Sequence, residues 1–302
     1  MFQIPSITRV ESTRRQRTIK SRVDVEGFGF WSGKDVVFSF RPAPENSGIR
    51  FIRSDIPRSD PIPALVRNRI KKPRQTSLVC GAAQVDMIEH VLAALRGARI
   101  DNCDIIVNSP EAPGLDGSAS VFMDAFLKAG TEEQNAERIR LKILEKGVFT
   151  DHSNPNGGTI IIEPNEQKQT VFEYNLHYDN PNHIPNQTAF FDFSQAPEVF
   201  QTEIAPCRTF LTIEEADYLR QQGICARVSV RDVLVYGENG PIDNKVRFDN
   251  ECARHKILDM IGDFSLAPFD WEGEFRATKT GHQQNAEVLQ AMLNSLSQEI
   301  FQ

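Results

Sequence analysis

Near the start of the chain, apolar and polar positions alternate with the period of a strand. Residues 17–19, then Val23, Val25, Gly27 and Gly29, then Val36, Val37, Phe38, Ser39 and Phe40 read as strand, glycine-rich turn and strand. This predicts an antiparallel β opening. Residues 42–48 and 58–63 are proline-rich loops, and 76–79 is a short strand ahead of the first helix. In that helix Met87, Ile88, Val91, Leu92 and Leu95 recur at helical spacing, and Gly97 stops it. Cys103–Val107 reads as a buried strand, 108–117 as a Pro- and Gly-containing loop, and 119–129 as a second helix ending at Gly130.

A second round of the same signals follows. Thr131–Glu137 is short, polar and charged, which predicts a linker between a first domain, 1–130, and a second, 138–302. Strands are expected at 141–143, 158–163, 171–178, 189–193 and 275–279, with helices at Glu251–Phe264 and 285–296. Residues 202–247 form an insert in this second domain, with a helix at 213–222 and a strand at 233–236, and a segment of that length is commonly functional. Both halves run from strands to helices. The fold expected is α+β: two similar domains, each a mostly antiparallel sheet with helices on one face.

Composition narrows the function classes. With 34 Lys and Arg against 41 Asp and Glu, the formal charge is −7, which argues against a nucleic-acid partner held by phosphate neutralisation. The five cysteines are odd in number and scattered without a CxxC pair, so a disulfide framework and a zinc ribbon are both unexpected. No stretch reaches about 18 uninterrupted apolar residues, and the basic start carries no apolar signal core. A soluble, unprocessed cytoplasmic protein is the expectation.

Candidate chemistry gathers in three places. On the helix 251–264, His255, Asp259 and Asp263 lie four apart and so share a face, while Ile257, Leu258 and Ile261 lie on the other side. An imidazole and a carboxylate there suit zinc, with a further acid behind them; the same spacing also suits a solvated face with an intrahelical ion pair. On the first helix, Glu89 and His90 stand among apolar neighbours, a costly position unless the pair is solvated, paired or coordinating. A Glu beside a metal-binding His can act as a general base. His282 follows Gly281 at a strand-to-helix turn, where Asp263 could hold it as an imidazolium. His152, His177 and His183 lie in turn-rich segments and are assigned to the surface. Together these are the parts of a mononuclear metal hydrolase, with no substrate named.

Read in order, the same residues resemble the UDP-3-O-acyl-N-acetylglucosamine deacetylase family, the zinc amidases of lipid A biosynthesis. The resemblance is carried by QRTIK at 16–20, FRPAPENSGIRFIRSD at 40–55, IEHVLAALRGARIDN at 88–102, NSPEAPGLDGSA at 108–119, RTF at 208–210, RFDNECARHKILDMIGD at 247–263 and GH at 281–282. It implies that His90, His255 and Asp259 bind zinc, or ferrous iron, and that Glu89 is the general base. It further implies that Asp263 and His282 form a charged pair, that Thr209 helps hold the oxyanion, and that Lys256 and Phe210 contact substrate. The implied fold packs helices between two outer sheets with the site at their junction. The implied partner is a UDP-linked acylated amino sugar, met by a monomer.

Three departures qualify the carry-over. The family's G-x-G-L-H-S-G reads Gly27-Phe28-Gly29-Phe30-Trp31-Ser32-Gly33, with Trp31 for the His. Its Gly-Gly-Ser followed by an Asn reads Arg227-Val228-Ser229 and then Asp232, in the insert that forms the acyl passage in the family. Its P-I-M-D-G-S reads Pro113-Gly114-Leu115-Asp116-Gly117-Ser118. Two other readings stand beside the deacetylase: a deacylase of another acylated amino sugar, and a zinc-binding homologue without turnover.

Overall fold

In the computed structural model, which describes residues 2–151, 157–178 and 184–296, two sheets flank a layer of helices. His152 and His183 lie outside the described residues. The helices, in chain order, are α1 (Glu89–Gly97), α2 (Ser120–Ala129), α3 (Pro197–Glu203), α4 (Ile213–Gln221), α5 (Glu251–Phe264) and α6 (His282–Asn294).

The first sheet runs Val23–Phe28, Asp35–Pro42, Cys103–Val107, Ile49–Arg53 and Ile62–Pro63, antiparallel except where Cys103–Val107 meets Ile49–Arg53. Its inner face is aromatic. Phe40 meets Phe126 of α2 edge-on with ring centroids 4.8 Å apart, and Phe38 meets Phe51 at 6.2 Å, geometries that the ring quadrupole favours.

The second sheet is organised by Asp270–Thr278. That strand pairs in parallel with Arg140–Ile143 and Thr170–Leu176, and antiparallel with Thr159–Glu163. Phe275 stacks on Phe172 at 5.3 Å and meets Phe264 of α5 at 5.1 Å. Helix α5 therefore lies on this sheet, and its other side packs on α1. Antiparallel pairs predominate, as expected, and an α+β fold is observed.

The sequence pattern and the structure differ at several places. The polar segment Thr131–Glu137, expected as a linker, is a strand paired with Arg15–Ile19. It has no apolar alternation to announce it; its backbone is held by the pairing, and Gln134 bonds the Ala43 carbonyl and Asn102. The start of the chain also crosses over: Ile7–Val10 pairs with Arg140–Ile143 of the second sheet. Strands at Ile49–Arg53, Ala83–Asp86 and Gly147–Thr150 and the short helix α3 are additional to those expected. The insert's helix and strand appear as α4 and Leu234–Gly237, and α4 opens with a reciprocal cap between Thr212 and Glu215.

Candidate metal centre and catalytic site

The site begins with how closely α1 approaches α5. Gly262 faces the first turn of α1, where an added Cβ would stand 2.2 Å from the Glu89 carbonyl oxygen. Only hydrogen fits there. The close crossing places Glu89 and His90 opposite His255, Asp259 and Asp263, and all five side chains are buried.

His90 Nε2 lies 3.8 Å, and His255 Nε2 3.4 Å, from the same oxygen, Asp259 Oδ1. The two rings stand edge to face at 5.1 Å. Burial, with the neighbouring imidazole, pushes His90 down to about 3, and burial also lowers His255 despite Asp259. Both imidazoles are then neutral at pH 7, so these contacts are not ion pairs. His255 Nδ1 donates to the Cys207 carbonyl at 3.0 Å, which leaves the Nε2 lone pair facing the cluster. Asp259 Oδ2 accepts from Lys256 Nζ at 2.7 Å, whereas Oδ1 is buried without a hydrogen-bond partner. Burial opposes charge on Asp259, but the Lys256 ammonium against Oδ2 holds it below the usual carboxylate range.

A bare, ionised, buried oxygen facing two neutral imidazoles is an arrangement that a cation resolves. One donor atom from each of the three residues lies within 4.8 Å of the others. Two imidazoles and a carboxylate fit a divalent ion of the zinc type and leave a coordination position for water.

Next to this cluster, Glu89 Oε2 accepts from the Thr76 amide at 2.9 Å, and Oε1 lies 3.9 Å from His282 Nε2. Burial raises Glu89 to about 7 against the pull of His282. His282 Nδ1 donates to Asp263 Oδ2 at 2.9 Å, and Asn285 donates to the same oxygen at 2.8 Å. The Thr76 hydroxyl bonds Asp263 Oδ1. Burial alone would lower His282, but Asp263 and Glu89 raise it to about 9, which makes it an imidazolium at neutral pH. Met87 and Lys279, just before the segments carrying Glu89–His90 and His282, both adopt left-handed backbone, with φ of 56° and 54°. Such strain in non-glycine residues is commonly held at functional sites.

On the opposite side, Thr209 Oγ1 donates to the Gly117 carbonyl at 3.1 Å and stands 3.4 Å from His255 Nε2. Its segment is anchored by Arg208, whose guanidinium is buried against Glu251 at 2.8 Å. The Phe210 ring lies edge-on to His255 at 6.0 Å. Lys256, expected at the substrate, is committed to Asp259 and lies over the Tyr174 ring at 5.8 Å, with one side still on the cavity wall.

That cavity, of about 780 Å³, opens at the cluster. Glu89, His90, Thr209, Phe210, His255, Asp259 and His282 all line it. Phe30, Leu211, Ala216, Val228 and Val235, packed together in one cluster, form an apolar part of its wall, the apolar arm; Lys71, Lys72 and Arg74 line it as well. Trp31 lines the cavity too. His177 is exposed, as expected, yet also borders the cavity. Arg227 does not line it and points to the first-sheet hairpin.

Every proposed ligand and catalytic residue thus lies in one place. Sequence reasoning missed Thr76, the Cys207 carbonyl, Asn285 and Gly262, all of which hold or admit the named groups. Gly262 and Asn285 were visible as a helical glycine and a polar residue one turn after His282; Thr76 and a backbone carbonyl gave no signal.

Comparison with known proteins agrees with this geometry. A family model described as LpxC, UDP-3-O-acyl N-acetylglycosamine deacetylase, matches residues 16–294. The bifunctional enzyme LpxC/FabZ of Chlorobaculum tepidum is 33% identical over 305 residues, 92% of this chain and 64% of that protein, so the chain spans just under two thirds of that relative. The UDP-3-O-acyl-N-acetylglucosamine deacetylase of Pseudomonas entomophila is 34% identical over 281 residues, 92% of this chain and 90% of the relative. With a match that covers most of the chain, the chain belongs to the UDP-3-O-acyl N-acetylglycosamine deacetylase family.

Proposed function

We propose that this chain is a zinc-dependent deacetylase that hydrolyses the acetamide of a UDP-3-O-acyl-N-acetylglucosamine to acetate and the free amine, in lipid A biosynthesis. The observation that carries the reading is the unpartnered Asp259 Oδ1 facing His90 and His255, with Glu89 and His282 beside it and an apolar stretch of wall in the same cavity. A buried metal cluster alone suits many hydrolases. An attached apolar arm suits one whose substrate carries an acyl chain.

His90, His255 and Asp259 would hold the ion, which when bound supplies positive charge to activate water and polarise the amide carbonyl. Glu89 takes the proton of the attacking water through Oε1, because Oε2 is held by the Thr76 amide. Its elevated pKa suits a base working near neutrality. His282, kept charged by Asp263, faces Glu89 Oε1 through Nε2 and can donate there to the developing oxyanion or to the leaving nitrogen. The Thr209 hydroxyl would turn from the Gly117 carbonyl to the oxyanion. Lys256 orients Asp259 and meets substrate only from the cavity wall. The site then lies at the junction of two α+β units, 1–130 and 138–302.

A monomer in the cytoplasm fits the five free cysteines; among the described residues no helix is long and apolar enough to cross a membrane. The test is mass spectrometry of metal-loaded protein incubated with UDP-3-O-acyl-N-acetylglucosamine of several chain lengths, with metal analysis alongside. Loss of one acetyl group per turnover is expected. Full metal content with no acetyl loss at any chain length would overturn the assignment, and removal of the acyl chain would favour a deacylase.

A further inference from the structure

The structure gives Arg227, in the insert, a specific task. Its Nη1 donates to the Gly33 carbonyl and to Asp35 Oδ1, each at 2.7 Å, and the guanidinium lies 4.3 Å over the Phe28 ring. Its stem packs on Gly33, where an added Cβ would meet Arg227 Cδ at 3.4 Å. One side chain from the insert thus grips the hairpin turn of the first sheet by charge, hydrogen bond and ring face together.

The gripped turn is a wall of the cavity. It is rigid by itself: Gly29 donates to the Lys34 carbonyl, Gly33 donates to that of Gly29, and Glu111 accepts from the amides of Trp31 and Ser32. Phe30 projects from it into a small cluster with Ala216, Val233 and Val235 of the insert. The apolar arm is therefore bounded by two separate pieces of chain, and the distance between them limits what fits. Across the cavity, Arg74 of the first half pairs with Glu215 of α4 at 2.8 Å. The root of the insert is held to the first half by Thr209 on the Gly117 carbonyl and by Arg247 on Asp116 at 2.8 Å, whereas Arg227 holds its outer part by three kinds of contact at once.

We propose that Arg227 latches the insert to the Gly29–Gly33 turn and thereby sets the longest acyl chain the apolar arm accepts, an inference that rests on the deacetylase reading above. Arg227 is a positioning residue: it touches neither the reacting atoms nor the arm's interior. Its guanidinium is half exposed, so the latch is sensitive to ionic strength.

The experiment uses metal-loaded full-length protein and compares the unaltered chain with Arg227→Ala and Arg227→Lys. Two quantities are read: kcat/KM over a chain-length series of UDP-3-O-acyl-N-acetylglucosamines, and amide hydrogen exchange across residues 210–241. An exposed ion pair with a cation–π contact predicts that Arg227→Ala raises the ratio of long-chain to short-chain kcat/KM by about three- to tenfold, mostly through KM. Exchange in the insert should quicken by a similar factor. Arg227→Lys keeps a charge over the ring but loses the planar fork, and should fall between. High salt should move the unaltered protein towards the alanine variant and leave the variant where it is. An unchanged ratio, or an equal loss at every chain length, overturns the latch. If the unaltered, metal-loaded protein deacetylates none of the series, the functional assignment fails first and the specificity inference falls with it.

Discussion

The metal corner and the insert share one cavity but are held by different physics. At the corner, Glu89, His90, His255, Asp259 and Asp263 are each less than a tenth exposed, and their polar atoms are tied to Thr76, Cys207, Lys256, His282 and Asn285. In a low-dielectric setting an unpaired group is expensive, so each member constrains the others. Beyond its root at Thr209–Gly117 and Arg247–Asp116, the insert meets the first half through ion pairs such as Arg227–Asp35 and Arg74–Glu215, with side chains one third to nine tenths exposed. Pairs of that kind are each worth about 0–1 kcal/mol. The contrast assigns chemistry to a part that tolerates little change and substrate choice to a part that can drift. The departures at residues 227 and 228 fall in the insert, and Trp31 lies in the first-sheet turn that Arg227 grips.

The largest effect should come from removing a ligand. His255→Ala should lower metal affinity by more than the ~10–100-fold that loss of an outer partner typically costs, and activity should fall with it. Metal analysis after dialysis checks this, and full occupancy in the variant would take His255 out of the centre. Next, Glu89→Ala should keep the metal yet lose about 10²–10⁴-fold in kcat, the usual share of a general base. Joint loss of metal and activity would make Glu89 a structural residue and break the division within the corner.

Much of the corner is legible in the sequence because helical spacing is a local property. His255, Asp259 and Asp263 share a face wherever that segment is helical, and Glu89 and His90 are adjacent. Their meeting across α1 and α5 is not local, and it depends on Gly262 having no side chain. Thr76 reaches Glu89 and Asp263 from just before the strand Ser77–Cys80, and its sequence context carries no sign of that role. The insert is less legible still. Its helix and strand follow from apolar spacing and from the Thr212 cap, but nothing in the order of residues says that Arg227 reaches Gly33, nearly two hundred positions away. Thr131–Glu137 teaches the same lesson for the fold: a strand made by backbone pairing and a half-buried glutamine shows no hydrophobic period.

The pH dependence sharpens the corner further. On the proposed mechanism, activity needs Glu89 as carboxylate and His282 as imidazolium. It should rise with pH through the Glu89 pKa, about 7 in metal-free protein and lower once a cation favours the charged form, and fall through about 9 as His282 loses its proton. His282→Asn should lower the plateau and abolish the basic limb. Stability carries the same signature. In metal-free protein the folded-state pKa of His282 is raised from 6.5 to about 9, so its stabilisation is complete below about 6.5 and is lost as pH climbs through 9. Glu89, raised from 4.5 to about 7, acts at lower pH. The decline in Tm between pH 7 and 9 should therefore shrink in His282→Asn, and a persistent decline would point to another group.

The smallest effect expected lies at Val228, which lines the arm beside the latch. Val228→Ala removes two methyl groups from the wall without touching Arg227 or the ties at the corner. The space gained is about that of one or two methylenes on a bound chain, and each methylene buried is worth about 0.8 kcal/mol, or roughly fourfold in kcat/KM. The chain-length optimum should move up by about one carbon while metal content and the pH profile stay as they were. Part of the gain is offset, because Val228 also packs against the cluster around Phe30, and a smaller residue there loosens the wall it belongs to. Measuring the optimum in Val228→Ala, Arg227→Ala and the double variant separates the two routes. If wall volume and latch act independently, their shifts add; if the latch works by pressing Val228 into the arm, the double variant shifts no further than Arg227→Ala alone. A change in metal content in Val228→Ala would break the division between corner and insert, because the arm would then be supporting the ligands as well as the acyl chain.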